Sequence, residues 1–345
     1  LFPSDYPYHT GTTNMLVRNF RALAEQVAAR HRLGPDDLVV DIGSNDGTLL
    51  SGFKALGTRV LGIEPTDNAR LANRRGIRTL RTFFSTRVAR GIVRGHGRAR
   101  VVTATNVFAH VNDLFGFLAG VKTLLARDGV FISESQYLRD VVETCAFDTF
   151  YDEHLRYYTL GPLAFLFPRV GMSLVDAERT PAAGGSIRVY AQAGLKPMSR
   201  RARALMAEEA RLGLHDPAVL RKFADDALRA KHALLALLLR IRRKGGRIAS
   251  VGAPGRSNTL LNFARVDHTL LDYLCEWKHS PKIGLYAPGT RIPIVDEKRL
   301  IEDQPDYALV LSWHIGAELM PKIRRMGYRG RFILPLPMPR VVTGP

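Results

Sequence analysis

The densest chemistry in the sequence lies in Phe147-Asp-Thr-Phe-Tyr-Asp-Glu-His-Leu-Arg-Tyr-Tyr158, where Tyr151, Glu153, His154 and Tyr158 fall within eight residues. Two phenols, a carboxylate and an imidazole offer several proton donors and acceptors, and the imidazole titrates near neutrality. A solvent-facing helix has no need of so many aromatics beside acids. The stretch is read as an active-site segment able to take a proton from a substrate; the competing reading is a structural polar helix.

A second group surrounds a glycine turn. An apolar strand over Leu38–Ile42 runs into Gly43-Ser-Asn-Asp-Gly47, and a helix opens at Thr48. Such a turn lets a ligand approach bare backbone at a helix N-terminus. Glu64 ends the next strand, Arg59–Ile63, 21 residues beyond Gly43. An acid at that distance is placed to accept both hydroxyls of a ribose. Asn45 stands where GxGxxG has its second glycine, so the turn is not built for a pyrophosphate. An adenosine cofactor without one fits better. S-adenosylmethionine is expected, with Asp41 and the turn Gly43, Ser44, Asn45 and Gly47 at its amino-acid tail and Glu64 on its ribose. Methyl transfer is thereby favoured over hydride transfer.

Asn106-Val-Phe-Ala-His110 and Glu134-Ser-Gln-Tyr137 follow the fourth and fifth strands. The carboxyl ends of such strands line the cleft of an open α/β sheet, so Asn106, His110 and Glu134 are expected near the cofactor. Gly252-Ala-Pro-Gly-Arg-Ser-Asn258 is a second glycine loop between strand and helix. With Arg256 near its centre and Lys282 downstream it reads as an anion cradle for a nucleotide diphosphate on the substrate.

Strands alternating with helices predict a parallel, doubly wound sheet: Leu38–Ile42, Arg59–Ile63, Arg78–Leu80, Arg100–Ala104 and Val130–Ser133, with helices over 14–30, 66–75 and 113–125. Ser173–Arg179 and Ser186–Ala193 read as a closing pair of strands. The fold class is α/β, a Rossmann-like domain over residues 1–195, a helical linker over 196–244, and a second, smaller Rossmann-like domain over 245–345. The apolar stripe of the linker is read as a helix packing on core.

The 345 residues give room for two domains and a sizeable core. No apolar run reaches the roughly 18 residues of a membrane span, and no signal segment opens the chain. Leu1 in place of Met is read as the loss of N-terminal residues or as the start of a fragment. Two distant cysteines, Cys145 and Cys275, make a zinc site or a disulfide framework improbable and fit a reducing cytoplasm. The net charge of +18 comes from dispersed arginines. The Arg240–Arg247 run has no interleaved aromatics, so solvated helix faces are favoured, then attraction of anionic small molecules, with nucleic acid last.

Taken together, these residues resemble the sugar C-methyltransferase family of S-adenosylmethionine enzymes, which alkylate C3 of nucleotide-linked 4-keto-6-deoxy sugars. The resemblance spans nearly the whole chain. It rests on Tyr6-Pro-Tyr8, Asp41–Gly47, Asn106-Val-Phe-Ala-His-Val111, Tyr151-Asp-Glu-His154, Gly184-Gly-Ser-Ile-Arg-Val-Tyr190, Gly252-Ala-Pro254 and Pro288-Gly-Thr-Arg-Ile-Pro-Ile294. It implies a class I methyltransferase domain, Tyr8 and Phe108 among the cofactor contacts, and Tyr158, Gly185, Ser186, Arg188, Arg256, Ser257, Asn258 and Lys282 at the substrate. It also implies a base that removes the C3 proton beside the ketone. His154 is the first choice and Tyr151 the second, with Glu153 orienting His154 and Tyr151 or His110 donating to the enolate. No metal is implied in the reaction. The family's usual N-terminal zinc-binding domain is expected to be either absent or cut away, and Arg256 and Cys275-Glu-Trp-Lys-His279 differ from deoxysugar members, where a Lys and an Asp are common. The competing functions are an O- or N-methyltransferase, an NAD-dependent sugar-nucleotide enzyme, and a silent binding protein.

Overall fold

In the computed structural model of the protein, residues 2–4, 6, 9–12 and 14–343 are described. The chain divides into two compact units, Leu1–Leu138 with Glu153–Leu212, and Arg139–Asp152 with Gly213–Pro345.

The first unit is built on a seven-stranded sheet. Its strands are β1 (Leu38–Ile42), β2 (Arg59–Ile63), β3 (Thr79–Leu80), β4 (Ala99–Thr105), β5 (Leu125–Gln136), β6 (Met172–Thr180) and β7 (Ser186–Ala193). Their order is β3-β2-β1-β4-β5-β7-β6, with only β7 antiparallel to its neighbours. Helices α1 (Asn14–His31), α2 (Thr48–Ala55), α3 (Asn68–Arg74), α4 (Thr86–His96) and α5 (Leu114–Leu124) alternate with the strands. After β5 comes α6 (Leu138–Glu143), which past its first residue belongs to the second unit, and the first unit resumes with α7 (Leu160–Arg169) and α8 (Arg200–Leu212). All five residues of β1 are buried. Leu38, Val40 and Ile42 join one core with Phe108 and Phe131; Val39 joins the other with Phe53 and Ile132. The two-residue side-chain period of a strand thus feeds both faces of a covered parallel sheet. Asp113 caps α5, accepting from the Gly116 amide at 2.9 Å.

Glu209 of α8 is buried and receives the Tyr137 hydroxyl at 2.7 Å and the Leu160 amide at 2.8 Å. Gly161 N donates to its second oxygen at 3.3 Å. A carboxylate from a distant helix thereby meets the amides and the positive dipole end of α7.

The second unit contains α9 (Pro217–Arg243), β8 (Ile248–Val251), α10 (Gly255–Phe263), β9 (Leu274–Glu276), β10 (Ile294–Asp296) and α11 (Lys298–Asp303). It closes with β11 (Tyr307–Val310), α12 (Gly316–Arg325), β12 (Arg331–Leu334) and β13 (Arg340–Val342). β8, β11 and β12 are parallel, β13 runs antiparallel along β12, and β9 pairs with β10. Ser250 N donates to Tyr273 O at 3.0 Å, which carries the hydrogen bonding from β8 toward β9.

Two features differ from the sequence reading. The linker expected over 196–244 is two helices, parted at Gly213 (φ 63°). α8 belongs to the first unit, whereas the α9 stripe Ala227, Ala230, Leu234, Leu238 and Ile241 fills the core of the second. Segment 139–152 also joins the second unit, where Cys145 and Phe147 enter the same core. Burial of two apolar side chains there outweighs chain proximity to the first unit. Strands β10 and β13, three residues each, were too short to leave a periodic signal. Among the described residues no helix is long and apolar enough to cross a membrane.

Glu209→Ala is expected to remove the acceptor of two buried donors and one half-buried amide and to lower stability by about 3 kcal/mol. Glu209→Gln, which keeps an acceptor oxygen, should lose less. Urea unfolding of both variants checks this, and equal stability of Glu209→Ala and the parent would refute it.

Candidate active site

The glycine turn follows β1 because two of its residues adopt left-handed backbone that glycine accommodates, Gly43 (φ 71°) and Gly47 (φ 80°). Gly43 is also required by space. A Cβ there would stand 2.3 Å from the Val107 Cγ2 atom, so the turn lies directly against the loop after β4. Asn45 adopts φ 49°, a conformation Asn tolerates better than most residues.

Three acids organise this corner. Glu64, buried at the end of β2, accepts the Asn45 amide at 2.9 Å on one oxygen. Its other oxygen accepts the Thr66 amide at 2.9 Å and the Thr66 hydroxyl at 2.6 Å. Asp46 is fully buried and receives Arg75 Nη1 at 2.8 Å and the Gly11 amide at 3.0 Å. Asp41 lies beneath the turn with the Thr103 hydroxyl donating to it at 2.6 Å. Burial pushes the Asp41 carboxyl up to about 7, against that hydrogen bond, and the nearby Glu64 charge pushes the same way. The buried Ser44 Oγ has no hydrogen-bond partner.

The N-terminal segment lies over this corner. Thr10 N donates to Asn45 Oδ1 at 3.0 Å, Asp67 N donates to Ser4 O at 2.7 Å, and His9 Nδ1 lies 2.6 Å from Asn68 Oδ1. Sequence reasoning did not assign Thr10, Gly11, Asp46, Thr66 or Asn68. The polar-aromatic run after Tyr6 was the available signal. Tyr8 lies outside the described residues.

The proton-transfer candidates gather around the turn Phe108–His110, one residue beyond Val107. His110 Nδ1 hydrogen-bonds the Glu153 carbonyl. A carbonyl only accepts, so His110 carries its proton on Nδ1. The His110 and His154 rings lie 5.1 Å apart. The Tyr6 hydroxyl donates to Glu153 Oε2 at 3.1 Å, and the Tyr157 hydroxyl lies 3.4 Å from His154 Nδ1. Tyr151 belongs to the segment that joins the second unit.

Several expected ligand contacts are engaged inside the protein instead. Tyr158 is core: it stacks on Phe108 at 5.1 Å, its hydroxyl donates to Phe108 O at 3.0 Å, and burial raises its pKa. Phe108 itself is fully buried, so neither ring faces a ligand. Adjacent residues of an extended segment point to opposite sides, so Tyr157, not Tyr158, meets the imidazole. Glu134 and Arg188 are buried against each other, with Arg188 Nη2 2.6 Å and Nε 2.9 Å from Glu134 Oε2. An unpaired charge at that depth would be costly, and strands β5 and β7 bring Glu134 and Arg188 into register. Asn106 (φ 55°) donates its amide to Glu134 O at 2.7 Å. Ser186 Oγ donates to Ala182 O at 3.0 Å, and Gly185 O accepts the Tyr137 amide at 3.3 Å, so both fasten the β6–β7 connection.

In the second unit Arg256 makes a bidentate pair with buried Asp148 at 2.8 and 2.7 Å. Trp313 Nε1 donates to the same carboxylate at 2.8 Å. Arg256 is therefore neutralised, and Ser257 Oγ is held by Pro254 O at 2.6 Å. Lys282 Nζ donates to Ala253 O at 2.8 Å, and Ala253 N donates to Glu276 at 3.1 Å. Asn258 is half-buried on α10, and its carbonyl accepts from Asn262 at 2.8 Å. Among the described residues no three His, Cys, Asp or Glu side chains gather to hold a metal ion.

Known proteins align with this arrangement. Residues 15–177 match a family described as "Methyltransferase domain", and residues 181–337 match "C-methyltransferase C-terminal domain". C-methyltransferase NovU of Streptomyces niveus is 34% identical over 342 residues, 98% of this chain and 81% of the relative. Among solved structures, the CcbJ methyltransferase from Streptomyces caelestis aligns over 51% of this chain and 90% of its own, at 16% identity and a TM-score of 0.40. The magnesium protoporphyrin IX methyltransferase of Synechocystis, solved with bound S-adenosylmethionine, aligns over 52% and 79%, at 12% identity and a TM-score of 0.39. Buried Asp41 and the unpartnered Ser44 Oγ lie at the glycine turn, with Glu64 at the end of the next strand. The chain belongs to the S-adenosylmethionine-dependent C-methyltransferase family.

Proposed function

We propose that the protein methylates C3 of a nucleotide-linked 4-keto sugar. The observation that carries this reading is the pairing of His110 and His154 beside Glu153, next to the loop that touches Gly43. A ketone at C4 acidifies the C3 proton, and only a positioned base is then required. In the tautomer with its proton on Nδ1, His154 offers Nε2 as the basic nitrogen that takes the proton. The C–H pair becomes the C3–C4 π bond and the carbonyl π pair moves to the C4 oxygen, forming an enolate; on methylation the C3–C4 π pair forms the new C–C bond and the ketone is restored. S-adenosylmethionine supplies an electrophilic methyl whose bonding pair returns to sulfur as the C3–CH3 bond forms. Glu153 keeps the segment in place through its carbonyl on His110 and its carboxylate on Tyr6. His110, with its proton on Nδ1, does not donate from Nε2 unless it gains a second proton. The enolate donor therefore falls to a phenol or to protonated His154.

Asp41 holds the ammonium of the cofactor's tail, and Glu64 holds its ribose. The nucleotide is assigned to the second unit's loop Gly252–Asn258, through backbone amides at the head of α10. Arg256 keeps that loop in shape through Asp148 rather than touching phosphate. The cytoplasm is the expected compartment.

His154→Ala should lower turnover about 10²-fold or more with cofactor affinity intact. Exchange of the C3 proton with deuterated solvent, followed by NMR in the presence of S-adenosylhomocysteine, should be lost with it. Retained exchange would sink the assignment of the base.

Glu64→Gln preserves the acceptor for Asn45 but removes the charge. It should weaken S-adenosylhomocysteine binding roughly tenfold. Unchanged affinity in a calorimetric titration would move the ribose elsewhere.

The Asp41 carboxyl is raised from 3.8 to about 7 in the folded protein. Without ligand it holds a proton that the unfolded chain releases, so its contribution to stability falls as pH rises from about 4 to 7. A cationic tail beside it favours the ionised form. Affinity for S-adenosylhomocysteine should therefore rise with pH up to about 7 and then level off, with proton release on binding below that pH. Asp41→Asn should flatten the profile; a pH-independent affinity in the parent would contradict the contact.

A further inference from the structure

The edge of the seven-stranded sheet opposite the glycine turn carries a groove of about 790 Å³ that no step of methyl transfer uses. It lies where β5 and β6 begin and β7 ends. Its floor is apolar, made by Ala119, Leu125 and Val170, and Phe115 stands beside it 53% exposed. Its rim carries Arg98, Lys122, Arg127 and Arg169.

These four cations contrast with the arginines that pair with carboxylates. Arg30 and Arg201 close on Asp176, and Arg247 on Asp272. Around the groove three of the cations are held by carbonyls instead. Arg98 Nη1 donates to Thr123 O at 2.6 Å, Lys122 Nζ to Val170 O at 3.0 Å, and Arg169 Nη1 to Phe165 O at 2.7 Å. A carbonyl fixes position without cancelling charge. Among the described residues, none of the four forms an ion pair with a carboxylate. Like charges gathered on one rim repel, and an anionic partner relieves that repulsion. Exposed aromatic and arginine side chains around an apolar floor are the composition of an interaction surface.

We propose that this groove docks an acidic amphipathic helix of another protein, with Asp or Glu side chains on the rim and an apolar side chain on the floor. A second copy of the chain is disfavoured, because each carries a net charge of +18. An open groove with an apolar floor suits a helix face better than a free phosphate. The small surface makes the contact transient and salt-sensitive.

The test is fluorescence anisotropy at low ionic strength. The probe is a fluorescein-labelled helical peptide with Glu on one face and Leu on the other. Arg127→Glu combined with Arg169→Glu should weaken binding at least about tenfold. Phe115→Ser, which leaves the charge unchanged, should weaken it too. Arg221→Glu with Arg240→Glu, an equal charge change on exposed positions of α9, should leave it intact. All three variants should keep parental methyl transfer and thermal unfolding midpoints. Equal loss in both charge variants, or none at the groove, would overturn the proposal. Displacement of the peptide by duplex DNA that depends on Arg127 and Arg169 would overturn it in favour of a nucleic-acid surface.

Discussion

The hydrogen bonds that converge on Glu64 are the constraint on which the cofactor corner depends. One carboxylate ties the glycine turn through Asn45 and the next loop through Thr66. The Gly43 and Ser44 amides reach the same strand end, donating to Ile63 O at 2.7 and 3.1 Å. The turn is thereby fixed before any ligand arrives, and the ligand does not have to order it. The close approach of Gly43 to Val107 passes that order to the loop carrying His110.

Charge in this protein is mostly placed in pairs where it is buried. Arg188 with Glu134, Arg256 with Asp148 and Arg75 with Asp46 each join elements distant in sequence. Breaking one partner would strand the other in low dielectric, so these pairs specify the fold more than they strengthen it. Asp41, like Glu64 and Glu209, is buried without such a pair among the described residues. It lies near another acid with one hydroxyl for support, and burial raises its pKa. An acid held in that state beside a ligand turn is where a positively charged group gains most.

The two units repeat one local device. Each has a strand, a glycine turn with positive φ at Gly43 or Gly252, and an acid at the end of the next strand that receives an amide of the turn. In the first unit the acid is Glu64, and in the second it is Glu276. The repetition follows from the chemistry of the turn. Its exposed amides need an acceptor, and a carboxylate at the neighbouring strand end is the nearest place to provide one.

The strand–turn–helix rhythm, the acid 21 residues after Gly43 and the crowded segment around His154 were legible in the sequence, because each is a local pattern of residue type and spacing. Parity was not. Nothing local distinguishes Tyr157, which meets an imidazole, from Tyr158, which enters the core; strand pairing between Tyr137 and Tyr158 decides it. Nor does the sequence tell which charges are neutralised. Arg188 and Arg256 read as anion-binding residues until tertiary contacts set them on Glu134, 54 residues away, and Asp148, 108 residues away. The division of the chain was hidden for the same reason, since segment 139–152 joins the second unit through Cys145 and Phe147 packing on residues far along the chain. Local propensity and spacing fix what a segment is able to do. Burial and long-range partners, which depend on the whole fold, decide which side chains remain to do it.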